Sequence, residues 1–203
     1  GADNTANGGY AMKENTTGSN NVGVGRSALR CNTTASSNTA VGSSALCLNT
    51  GAGNSAVGHN ALLKNTTGTR NTALGSCALC NATTVGHNTA VGACALRNTT
   101  IGCNTAVGSC ALDTNTTGAD NTAVGAFAMD ANTEGDGNTA VGCAALVANT
   151  TANSNTAVGA TALSHNTTGA NNVAVGRTAL ENNTTAAANT AIGFSSMRAN
   201  VDG

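Results

Sequence analysis

Eight cysteines in 203 residues are the first places to look for chemistry, and three of them, Cys77, Cys94 and Cys110, stand 17 and 16 residues apart. Such spacing can gather thiols into a disulfide ladder, a reactive site or a metal site. The plainer reading is that Cys replaces Ser, Ala or Thr at a small, half-buried position. Cys77-Ala-Leu-Cys80 is a CxxC pair without a second one to complete a zinc set. His87 and Cys103 are also 16 residues apart, but two ligands do not make a site. Cys31, Cys47 and Cys143 stand at unrelated places, as do His59 and His165. No Ser, His and acid constellation recurs, and the nine acidic residues are scattered. The expectation is a chain with no catalytic group, no cofactor and no metal, hence not an enzyme.

A second chemistry is written in Asn-Thr-Thr. The triplet begins at Asn15, Asn32, Asn65, Asn98, Asn115, Asn149, Asn166 and Asn183; with Asn81-Ala-Thr and Asn182-Asn-Thr it gives ten matches to the N-glycosylation acceptor pattern. Asn-Thr-Thr is also good turn material, so its recurrence is explained without any modification.

Composition limits the remaining possibilities. There is no Pro or Trp, and Tyr10, Phe127 and Phe194 are the only aromatic residues, so the side chains that usually dominate a core are missing. A formal charge of −1 offers no electrostatic footprint for nucleic acid or an anionic membrane, and no apolar run is long enough to insert in a bilayer. Val and Leu at fixed intervals argue for order by repetition rather than disorder.

The elements that must position all these residues repeat. Segments like NTAVG begin at Asn4, Asn21, Asn38, Asn54, Asn71, Asn88, Asn104, Asn121, Asn138, Asn155, Asn172 and Asn189, giving twelve repeats of 17 residues, shortened to 16 after Asn38 and after Asn88. Both shortenings fall in or beside the Asn-Thr-Thr segment, which marks it as a turn. The array reads as one unit over 1–203, with Gly203 at the Gly of the last Asn-Thr-Thr-Gly position, as expected of a piece of a longer array. A 17-residue period cannot hold two helices, and β-branched residues beside a recurrent Gly are poor helix formers. The prediction is an all-β, parallel β-solenoid of twelve coils of 16–17 residues, stacked about 4.8 Å apart with identical positions in register. At that spacing the thiols of Cys77, Cys94 and Cys110 need local tilt to bond.

With the first Asn as position 0, position 3 is Val, Leu or Ile in every repeat but the first, as at Val91, Val107 and Val124. Position 8 is Leu or Met throughout, as at Leu96, Leu112 and Met129. Both columns are expected to face inward. Position 0, as at Asn88, Asn104 and Asn121, and a second Asn near position 11 are expected to form ladders and to tolerate left-handed turns. Position 2, as at Ala106, Ala123, Ala140 and Ala157, then lies on a small-residue outer strip. One Val and one Leu make a thin core, so this strip is expected to be an interface that another chain covers.

The segment Asn171-Asn172-Val173-Ala174-Val175-Gly176 and its NTAVG copies resemble the head repeat of trimeric autotransporter adhesins. The fuller pattern NTAVGxxALxxNTTG is similar to repeats of bacterial surface proteins and phage tail-fibre proteins. The period is longer here than in those adhesin heads. The resemblance spans the whole chain and implies a left-handed β-roll, a homo-oligomer (a trimer or a filament), and a place outside the cell, on its surface or on a virion fibre.

The functional expectation is therefore a structural fibre or adhesin domain acting with copies of itself, its host-surface or glycan receptor unknown. The alternative is an ice-binding β-solenoid presenting regular Thr and Ala ladders. Thr16 and Thr17, Thr66 and Thr67, Thr116 and Thr117, and Thr167 and Thr168 supply such ladders, although Thr133-Glu134 and Val201-Asp202 interrupt them.

Overall fold

A computed structural model describes residues 1–200. Val201, Asp202 and Gly203, read above as a break in the turn ladder and as the Gly that ends the last turn, lie outside the described residues. The chain forms two compact units, Gly1–Gly102 and Cys103–Gly203, each a parallel β-solenoid. The first holds β1 (Thr5–Asn7), β2 (Val22–Val24), β3 (Thr39–Val41), β4 (Ser55–Val57), β5 (Thr72–Leu74) and β6 (Thr89–Val91). The second holds β7 (Thr105–Val107), β8 (Thr122–Val124), β9 (Thr139–Val141), β10 (Thr156–Val158), β11 (Val173–Val175) and β12 (Thr190–Ile192). Strands of successive coils pair in parallel and in register, for example Ala123 with Ala140 and Val124 with Val141. No helix occurs among the described residues.

A three-residue strand is only one wall of the coil. The Gly at position 4 follows it with φ between 120° and 142° in all twelve coils, a region open to Gly and closed to other residues. A Cβ on Gly125 would stand 2.4 Å from the carbonyl oxygen of Gly142, so stacking forbids it too. Overlapping turns come next: in the second coil the N–H groups of Ala28, Arg30 and Asn32 donate to carbonyls three residues back, at 3.3, 3.3 and 3.1 Å.

Positions 6 and 8 are left-handed while the Ala between them is not, as at Phe127 (φ 58°) and Met129 (φ 51°) around Ala128. That alternation swings successive peptides up and down the stacking direction. Phe127 N–H donates back to Ser109 O at 2.9 Å, and Met129 N–H forward to Ala145 O at 3.0 Å. The second wall thus has an inter-coil ladder without being a regular strand. The left-handed residues expected at the repeat asparagines are instead at positions 6, 8 and 16, and the ladder bonds they permit offset a strain of roughly 1–2 kcal/mol each.

The interior reverses one expectation. Ala106, Ala123, Ala140 and Ala157 have 0% exposure inside their own chain, so they are core residues and not an interface strip. Val91, Val107 and Val124 point outward and are partly exposed, Val124 at 36%. Leu96, Leu112 and Met129 are fully buried, as expected. The reason is the thinness of the coil. Where Gly23 replaces the Ala of position 2, an added Cβ would stand 3.1 Å from Met12 Cε, so the strand's inner side meets the position 8 side chain of the opposite wall directly. There is room for Ala against Leu; Val against Leu would push the walls apart.

Candidate functional site

Two polar columns complete the core. At position 0 the side chain bonds the next coil's backbone: Asn121 Oδ1 accepts the N–H of Asn138 at 2.9 Å, and Asn138 Oδ1 accepts that of Asn155 at 2.9 Å. The amide of Asn121 donates to Gly135 O of its own coil at 2.7 Å, closing the turn across the core. Asn88, Asn104 and Asn121 are no more than 1% exposed. At position 11 the amides bond one another: Asn132 Nδ2 to Asn115 Oδ1 at 2.8 Å, Asn149 to Asn132 at 2.8 Å, and Asn166 to Asn149 at 3.1 Å. Each amide also donates to a carbonyl three residues on, as Asn132 does to Gly135 O at 3.0 Å. Most of these buried amides are therefore satisfied within the scaffold, and being buried they offer no polar group to a ligand.

The irregular coils show what the columns require. In the coils beginning at Asn71 and Asn88 the Asn sits one position early, and the buried slot at position 11 is filled by Ala82 and Thr99. Asn81 and Asn98 lie outside the slot, where Asn81 Nδ2 donates to Asn98 Oδ1 at 2.8 Å. Ala82 has no donor for the coil before it, and Asn65 Oδ1 is left buried without a partner. In the 16-residue coil after Asn38, Asn38 Nδ2 is unpaired as well.

The thiols do not form a centre. None of the eight cysteines is in a disulfide, and no group of three His, Cys, Asp or Glu able to hold a metal occurs among the described residues. Cys77, Cys94 and Cys110 occupy left-handed positions with φ of 57°, 59° and 55° and are partly exposed. Burial, then the neighbouring Cys77, push the Cys80 thiol up to about 11, and burial raises Cys47. Both are protonated and poor nucleophiles at neutral pH. An open depression of about 370 Å³ in the first unit, lined by Ser36, Ser37, Ala52, Gly53, Thr69 and Arg70, has one charged group and no acid–base pair.

The outward strand face is the most regular surface. Position 1 is Thr in nine of twelve coils and Ser or Val in the others, and position 3 is Val in nine. Neither position carries a charged or aromatic residue in any coil. In the first unit Val41, Val57 and Leu74 are 36%, 38% and 47% exposed; in the second Val124 and Val141 are each 36% exposed. Charge is kept to the other faces: Lys13, Arg30, Lys64 and Glu181 lie at positions 9 and 10, and Asp3, Arg70 and Asp120 at position 16. Sequence reasoning found these columns but placed them inside; a charge-free column is equally expected of an interior, as the buried Ala column at position 2 shows. Compared with known protein families, with curated proteins and with solved structures, the chain matches none.

Proposed function

We propose that this chain is a structural module of an extracellular fibre or adhesin, and that copies of it associate through the outward Thr and Val strip. The observation that carries this reading is the column of partly exposed Val residues, unbroken by charge, on strands held in register. The interior is already complete within one chain, so association covers surface and does not rescue an empty core. Removing this apolar strip from water favours a second copy over solvent. The resemblance to trimeric adhesin heads supports a trimer. Length and stiffness then come from the number of stacked coils, and any receptor is engaged elsewhere. Sedimentation at micromolar concentration tests it: a trimer or larger species is expected, and a monomer contradicts it.

A second reading has its own observation. Thr105, Thr122, Thr139 and Thr156 stand beside Val107, Val124, Val141 and Val158 as two registered rows of hydroxyls and methyls, the arrangement an ice-binding face needs. This face replaces the turn Thr ladders and the Ala ladder as the candidate surface. Thermal hysteresis from a monomer would favour this reading over association.

A further inference from the structure

Six of the ten acceptor asparagines, Asn32, Asn65, Asn115, Asn149, Asn166 and Asn183, are 0% exposed because they occupy position 11. Their amides are already engaged inside the coil, as Asn183 Nδ2 is with Asn166 Oδ1 at 2.9 Å and with Ala186 O at 3.0 Å. A glycan on Nδ2 would remove one of those N–H donors and place a sugar where no solvent reaches. Asn182 differs. It stands one position earlier, at position 10, and its side chain is exposed. Asn15, Asn81 and Asn98 are half-buried.

We infer that the fold and N-glycosylation at its own turns exclude each other, and that Asn182 is an acceptor at which a glycan and the closed coil coexist. A pathway that reads Asn-X-Thr on the nascent chain would modify the column before it forms, and those molecules cannot close. The chain therefore folds where these acceptors are not read, with Asn182 as a tolerated attachment point. The inference rests on burial and hydrogen bonding alone and stands whether or not copies associate.

The test uses the full chain, co-expressed with a soluble N-glycosyltransferase that moves one glucose from UDP-glucose to Asn-X-Thr. The sugar C1–Nδ2 bond forms, the C1–O bond to UDP breaks, and the amide proton is released. Occupancy is mapped by mass spectrometry in the soluble folded fraction and in the insoluble fraction. Glucose on Asn115, Asn149, Asn166 and Asn183 is expected to be depleted at least about tenfold in the folded fraction, the scale set by one unsatisfied buried amide. Glucose on Asn182 is expected at similar occupancy in both. A control carrying Gly108→Ala, Gly125→Ala, Gly142→Ala, Gly159→Ala and Gly176→Ala, each at a position that leaves no room for a Cβ against the next coil, is expected to be modified at all five positions. Folded protein carrying glucose on the four column residues overturns the inference, as does depletion at Asn182. An unmodified column in the control also overturns it, because the local sequence and not the fold would then be the barrier.

Discussion

At the scale of the residue, the Ala and Val of each strand differ in opposite directions from what their sizes suggest. Ala123 is fully buried against Leu-type side chains while Val124 is 36% exposed. Ala123→Val is expected to cost about 1–3 kcal/mol by overpacking, and Val124→Thr to change folding stability by no more than about 0.5 kcal/mol. Urea denaturation of both variants checks the order, and equal losses would contradict it. Asn121→Ala is expected to be worse than either conservative change. It removes the acceptor for Asn138 N–H and the donor to Gly135 O, each costing about 1–3 kcal/mol when left buried. The thiols give a simpler readout. Cys103 and Cys143 are exposed and should react readily with a thiol reagent at neutral pH, whereas Cys47 and Cys80, buried and with raised pKa, should react only on unfolding.

At the scale of the element, the coil depends on backbone shapes that the sequence announces unequally. Gly at position 4 was legible as a bend, because it recurs in every repeat beside a β-branched run. The left-handed Leu or Met at position 8 was not legible: nothing in Leu96 or Leu112 announces a φ of 51° or 53°, and stacking imposes it. The strand's alternation was legible too, but alternation defines two faces without saying which is inside. Side-chain size pointed to Val, and the narrow gap between the walls decided for Ala. The Asn columns were visible as repetition, yet the shift at Asn81 and Asn98 reads as a moved ladder, whereas the buried slot stays fixed and accepts Ala82 and Thr99. Two substitutions probe the backbone shapes. Gly125→Ala is expected to cost about 3 kcal/mol or more, since both its φ of 139° and its contact with Gly142 exclude a Cβ. Ala144→Gly, at a left-handed φ of 53°, is expected to raise stability by about 0.5–1 kcal/mol despite the greater freedom of Gly in the unfolded chain. Thermal melts of the two variants should move in opposite directions.

At the scale of the whole molecule, each solenoid unit is self-sufficient inside and carries a charge-free strip outside. Folding and association should therefore separate under mutation. Val124→Lys with Val141→Lys places like charges on the strip, where burial against a second copy leaves them unpaired, while the interior lined by Ala123, Ala140 and Met129 is untouched. Sedimentation equilibrium of this double variant beside the wild type, with far-UV circular dichroism to verify the fold, is the most direct measurement. A trimeric or larger wild type and a folded, monomeric variant are predicted. A wild type and variant of the same oligomeric state would contradict the strip as the association surface.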